Sequence, residues 1–202
     1  MSAVQSPALQ FDEASHTYTL GARQLPSVTQ ILDVLDSEWK DYVDPVALEE
    51  AKIRGRHIHR MVELDVRGDL DEATVAPSYQ GYLRQWRKFL AETQYKPLVA
   101  EQQVYHDEHG YAGTLDQVGM MGSQFLLLDL KTGVIPRTVG LQTAAYLVAG
   151  QRLQRVPFRA QRAVLQLRED TYRFKAIDSQ LSIDMADFTA AIRIYHWRQR
   201  NV

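Results

Sequence analysis

Residues Gln124–Thr132 read QFLLLDLKT, and this stretch decides the fold class. In an extended chain successive side chains alternate, so Leu126, Leu128 and Leu130 share one face while Phe125, Leu127, Asp129 and Lys131 share the other. Both faces are apolar for most of the length, as in a strand covered on both sides. Such a strand needs a layer above and a layer below, which an α/β architecture supplies. Its end is the anomaly. A carboxylate and an ammonium on one face of a buried strand are costly unless they pair or engage a ligand, so Asp129 and Lys131 read either as a structural ion pair or as part of a site.

Upstream, PLVAEQQVYH (97–106) and YAGTLDQVGM (111–120) read as two further strands joined by a turn at Asp107-Glu108-His109-Gly110, completing a three-strand meander. Downstream, a helix from about Val139 to Leu153 precedes strands AVLQLRE (163–169) and TYRFKAI (171–177) around Glu169-Asp170, and a last helix runs from about Ile183 to Arg200. Before the meander, Ser27 and Gln30 form a capping box opening a helix of about ten residues, VTQILDVLD. Asp44 then caps and Pro45 starts a longer helix that reaches Gly68. A third helix, from about Ser78 to Thr93, carries Tyr82, Leu83, Trp86, Phe89 and Leu90 at helical spacing, a core stripe rather than a base-stacking platform. FDEASHTYTLGARQLPS (11–27) alternates around Gly21 as a short hairpin. The order implies an α/β sandwich with a central mixed sheet flanked by helices. No repeat, low-complexity tract or linker divides residues 1–202, so they read as one domain with 1–26 as an N-terminal hairpin extension.

The 202 residues contain no cysteine, which excludes disulfide scaffolds, cysteine nucleophiles and iron–sulfur clusters. The opening MSAVQSPALQ lacks a basic, apolar leader pattern, and no window approaches a membrane-spanning length, so the expectation is a soluble cytoplasmic protein with no membrane partner. The net charge of -2 hides an asymmetry: residues 1–130 hold 11 basic and 20 acidic side chains (net -9), residues 131–202 hold 12 and 5 (net +7). A local positive surface binds polyanions whatever the overall sum.

Gly113-Thr-Leu-Asp116 puts a second carboxylate on the strand next to Asp129, and Gly113 admits close approach of another group. Two inward carboxylates on neighbouring strands repel unless a cation lies between them, and such oxygen donors suit Mg²⁺ or Mn²⁺. Glu101, one strand earlier, extends the acidic cluster or sits on an ordinary solvated face. His59, on the long helix, has Gly55 one turn before it and Glu63 one turn after it. Imidazole can join carboxylates around Mn²⁺, while the glycine leaves space for close packing of helix on sheet. His16, His57, His106, His109 and His196 read as packing or surface. Gln142 and Tyr146, at i and i+4 on the following helix, can contact a nucleotide or hold Lys131.

In this order, Gly55-x-x-x-His59, Gly113-x-x-Asp116, Asp129-x-Lys131 and Gln142-x-x-x-Tyr146 resemble the RecB-like branch of the PD-(D/E)XK nuclease superfamily, over roughly residues 27–150 and the following hairpin. The resemblance implies a restriction-endonuclease-like core. It implies that His59, Asp116 and Asp129 hold one or two Mg²⁺ or Mn²⁺ ions with the Leu130 carbonyl as a fourth ligand. It also implies that Lys131 orients or activates the attacking water, and that Gln142 and Tyr146 support the site or touch DNA. Asp129 stands where many members have Glu. The function expected from the resemblance is a metal-dependent DNA exonuclease trimming duplex ends in recombination or repair, similar to stand-alone phage or prophage enzymes; a structure-specific endonuclease and a non-catalytic DNA-binding or assembly module are the alternatives. A single-strand annealing or other recombination protein fits as partner by analogy, and oligomerisation stays open. Among basic residues, Arg54, Arg56 and Arg60 on the His59 helix, and Arg137 with the other cations after Lys131, are candidates for phosphate contacts, or else solvated faces.

Overall fold

Capping chemistry sets the helix boundaries. A computed structural model describes residues 8–13, 15–40 and 44–201. Ser27 accepts from the Gln30 amide at 3.1 Å while Gln30 reaches back to the Ser27 amide at 2.8 Å, and this closed box opens α1 (Val28–Lys40). Asp44 accepts from the Val46 amide, Pro45 occupies the first turn, and α2 (Pro45–Arg67) ends where Gly68 turns left-handed at φ 74°. Helix α3 (Pro77–Thr93) likewise starts on a proline. It is tied to α2 by the Trp86 indole, which donates to Asp65 at 2.9 Å, and by Arg87, which grips the same carboxylate.

The C-terminal half builds one five-stranded sheet in the order β4 (Tyr95–His106), β5 (Tyr111–Met121), β6 (Gln124–Lys131), β7 (Gln161–Leu167) and β8 (Tyr172–Ala176). All neighbours are antiparallel except β6 and β7, which run parallel because α4 (Val139–Arg152) crosses between them. The sheet is therefore mixed, with QFLLLDLK in its centre, and helix α5 (Leu181–Arg200) closes the chain.

The two faces of β6 enter two cores. Leu126, Leu128 and Leu130 pack with Ile58, Met61 and Val62 of α2 and with Leu83, Trp86 and Phe89 of α3. Leu127 and Phe125 pack with α1, α4 and α5 through Ile31, Ala145, Leu147, Phe188 and Ile192. The aromatics of α3 are core, as their spacing implies. Helices on both faces of a mixed sheet confirm the α/β class.

The N-terminal extension is more than a hairpin. It forms a three-stranded antiparallel sheet of β1 (Leu9–Asp12), β2 (Thr17–Leu20) and β3 (Arg23–Leu25), because the chain before Thr17 pairs as well, with Phe11 opposite Tyr18. Tyr18 and Leu25 bury against Ala112 of β5, and the Tyr18 hydroxyl meets the Thr114 hydroxyl at 2.8 Å. Residues 1–7, part of the opening stretch read as leaderless, lie outside the described residues. Among the described residues no helix is long and apolar enough to cross a membrane.

Leu128 is 1% exposed at the centre of the α2/α3 face, so Leu128→Ala is expected to destabilise the protein by about 2–5 kcal/mol. Leu98→Ala, at a position 55% exposed, is expected to stay within about 0.5 kcal/mol of wild type. Urea denaturation of both variants checks the central placement of β6; a small loss for Leu128→Ala contradicts it.

Candidate metal and phosphate site

The site lies where β5 stops pairing with β6. Their ladder runs from Met121↔Gln124 to Gln117↔Leu128, one step short of Asp116 and Asp129. Beyond that point the Asp116 side chain takes over, accepting from the Leu130 amide at 2.5 Å. On the other side of β5 the ladder with β4 skips the Glu101/Asp116 position, where Glu101 adopts a left-handed φ of 49°. A non-glycine residue there is strained, and such conformations gather at functional sites.

Three donors converge at this opening. His59 Nδ1 lies 3.3 Å from Glu101 Oε1 and 3.6 Å from Asp116 Oδ1, while His59 Nε2 donates to the Leu130 carbonyl at 3.1 Å. One ligand atom each from His59, Glu101 and Asp116 falls within 4.8 Å of the others. Burial opposes the imidazolium, but Asp116 and Glu101 outweigh it and hold His59 at about 9. The protonated imidazole can serve as the cation between these carboxylates, and it would give up its Nδ1 proton to ligate a metal ion there.

Asp129 is the least comfortable group. It is 1% exposed, and Lys131 Nζ approaches its Oδ2 at 2.7 Å, but at too acute an angle for a well-formed hydrogen bond, so both oxygens lack a proper donor. Burial raises its pKa to about 6, with Asp116 adding to the rise and Lys131 opposing it. Burial likewise raises Asp116, which His59 counteracts. Lys131 is raised, burial notwithstanding, because Asp129 and Asp116 face it. Buried carboxylate oxygens without donors, beside an imidazole and two further carboxylates, form a donor set that fits a hard divalent cation such as Mg²⁺ or Mn²⁺.

Of the ligands expected from sequence, His59 and Asp116 converge, joined by Glu101, whereas Asp129 is not part of that cluster and meets Lys131 instead. Glu101, placed at the margin by sequence, stands beside His59 and Asp116 on equal terms. The Leu130 carbonyl accepts from His59 in this arrangement. Tyr146 and Gln142 are buried on α4 and hydrogen-bond each other, and Lys131 pairs with Asp129 rather than with either. Gly113 does admit a close neighbour, because a Cβ there would stand 2.6 Å from Tyr146 Cε1. Gly55 is not needed for packing: a Cβ there would meet Thr132 Oγ1 at an ordinary 3.5 Å.

The basic candidates divide. Arg56 lines the cleft that opens on His59, whereas Arg54 is half-buried, its Nε buried without a partner. Arg137 shares a depression with Arg173 and Lys175. Arg152 and Arg162 are consumed by carboxylates, Arg152 by Asp107 and Glu108 and Arg162 by the buried Asp184, so the +7 segment overstates the charge offered to a polyanion. Sequence reasoning missed the N-terminal sheet, whose Phe11, His16 and Tyr18 form a wall of the same cleft. Its alternation announced a hairpin, but nothing local announces where a hairpin docks.

A scan of protein-family models finds no match for the chain, and a search of curated proteins finds none either.

Asp116→Asn keeps an acceptor for the Leu130 amide and removes the charge. Wild type is expected to gain several degrees in melting temperature on adding Mn²⁺ to chelator-treated protein, and Asp116→Asn to melt near the wild-type chelated value with that gain lost. Differential scanning fluorimetry reads both; an undiminished Mn²⁺ shift in the variant removes Asp116 from the site.

Proposed function

We propose that the chain is a Mg²⁺- or Mn²⁺-dependent deoxyribonuclease with a restriction-endonuclease-like core, acting as an exonuclease at duplex DNA ends in recombination or repair. The observation that carries the reading is the convergence of His59, Glu101 and Asp116 within ligand distance of one another, with the buried Asp129–Lys131 pair beside Asp116. Lys131 meets one Asp129 oxygen and leaves the other without a partner.

His59, Glu101, Asp116 and Asp129 would hold the ion. A bound divalent cation supplies charge neutralisation at a phosphoryl oxygen and lowers the pKa of water. The remaining work belongs to side chains. Lys131, held on the Asp129 face, places a positive charge where a phosphate reaching the carboxylates would lie, and its ammonium can donate to an attacking water. Tyr146, pressed against Gly113 and bonded to Gln142, walls the site off on the α4 side. Arg137, Arg173 and Lys175, around one depression, offer a second contact for a phosphate backbone.

Asp116→Ala and Asp129→Ala are each expected to reduce cleavage at least a thousandfold with circular dichroism unchanged, and Lys131→Met to reduce it with metal binding retained. End-labelled linear duplex, closed circular DNA and single strands, each with Mg²⁺, Mn²⁺ or chelator, provide the assay. Degradation confined to DNA with ends supports the exonuclease. Cutting of circles replaces it with an endonuclease, and binding without products in any metal leaves a DNA-binding module.

A further inference from the structure

Helix α5 departs from the pattern of a surface helix. One face packs on α1 and α4 through Phe188, Ala191 and Ile192, and the buried Asp184 on that side is tied to Arg162 at 2.6 Å. The opposite face of such a helix is ordinarily polar. Here it carries Ile183, Ala186, Ala190, Ile194 and Trp197, all exposed. At about 100° per residue these five fall within about 40° either side of Ala190, so they form one straight stripe about 21 Å long. Ile183 is 54% exposed, Ile194 40% and Trp197 58%, so the fold of a single copy uses none of the three fully. Apolar surface residues scattered singly are ordinary, but a helix apolar on both faces is one that is covered on both.

The stripe is symmetric about its centre. Ile183 and Trp197 lie seven residues either side of Ala190, and Ala186 and Ile194 lie four either side. Two copies laid antiparallel about a two-fold axis at Ala190 therefore set each Trp197 against Ile183 of the other copy. The two small Ala190 side chains then meet at the axis, where the helices can approach closely. Charge selects the same direction. Asp178 and Asp187 stand at the N-terminal end and Arg193, Arg198 and Arg200 at the C-terminal end, all exposed, and no described residue forms an ion pair with any of them. Antiparallel pairing brings the acidic end of each helix beside the basic end of the other and opposes the two helix dipoles, whereas parallel pairing sets like on like. Side chains tilt toward the N-terminus of their own helix, so Asp187 and Arg198 of the second copy, on one flank of the pair, lean towards each other.

We propose that the outer face of α5 is the interface of a homodimer, an antiparallel helix pair centred on Ala190 in which Trp197 of each copy packs on Ile183 of the other. The occupant is a second copy because this helix, reversed, supplies both the matching apolar spacing and the opposite order of charge. A single helix pair lies at the small end of specific interfaces, so the dimer forms reversibly. None of the residues lining the cleft over His59 belongs to α5, so pairing leaves both clefts open. The inference is independent of whether the chain cleaves DNA.

Sedimentation of the full chain tests the association and introduced thiols test its geometry. The wild type is expected to be dimeric at about 100 µM and to dissociate on dilution to about 1 µM. Trp197→Ala, at an exposed position, is expected to weaken the dimer by about tenfold with the melting temperature of the dilute protein unchanged. Asp187→Arg is expected to weaken it severalfold, and Asp187→Arg combined with Arg198→Asp to recover most of that loss. The chain has no cysteine, so a single new thiol has no competitor. Ala190→Cys is expected to give a disulfide-linked dimer under mild oxidation, because the two copies of residue 190 meet at the axis. Ile183→Cys is expected to give none, since its counterpart in the second copy lies about 21 Å away along the antiparallel pair. A monomer at about 100 µM overturns the dimer, and a dimer undiminished by both Trp197→Ala and Asp187→Arg overturns this face as its interface. Failure of Ala190→Cys to link, or linking of Ile183→Cys at the same rate, overturns the antiparallel order.

Discussion

Negative charge confined at the end of a buried strand is the constraint on which the structure turns. Asp129 is almost fully covered, Asp116 stands within its field, and Glu101 within that of Asp116. Two cations answer them, Lys131 on the same strand and His59 from a helix on the opposite layer. Neither answers completely, since burial still raises both aspartates above ordinary carboxylates. The local backbone gives way as well. The β5–β6 ladder stops before the charged pair, and Glu101 turns left-handed where β4 should meet Asp116. A sheet optimised for stability alone would continue its hydrogen bonds through this point with apolar side chains.

Layering makes that concentration of charge tolerable. Because β6 is covered on both sides, its leucines supply two cores, and the cluster lies at the strand end where those cores run out. Helix α2 crosses this edge with Ile58, Met61 and Val62 in the core and His59 turned to the carboxylates. The helix thus sets the position of a ligand through the same packing that stabilises it. On the opposite layer Tyr146 fills the space left by Gly113, so water is limited from that side too.

Much of this was legible in the sequence because it is encoded locally. Alternation in QFLLLDLKT determines which residues face which layer, and Ser27, Asp44, Pro45 and Gly68 determine helix ends through their own side chains or φ angles. Asp116 and Asp129 could be placed together because adjacent antiparallel strands bring their ends into register. Glu101 was harder to weigh, since its role follows from a backbone distortion that no pattern of polarity announces. The third strand of the N-terminal sheet and its docking on β5 were not legible. They depend on Tyr18 finding Thr114, nearly a hundred residues away, a tertiary contact that alternation cannot specify. Charge counting misled in a related way, because Arg152 and Arg162 are spent on Asp107, Glu108 and Asp184, and only geometry reveals which cations remain available.

The N-terminal sheet also changes what the cluster can accept. Without it, α2 and the strand ends would present an open acidic edge bordered by arginines, accessible to a duplex lying across it. With Phe11 and His16 lining the same cleft as Arg56 and Arg60, the approach to the carboxylates narrows. Arg137, Arg173 and Lys175 line a separate depression outside this cleft. The position of the aromatic wall rests on Tyr18 and the Ala112–Pro26 bond to the very strand that bears Asp116, so that wall of the cleft and the proposed ion site are set by one strand.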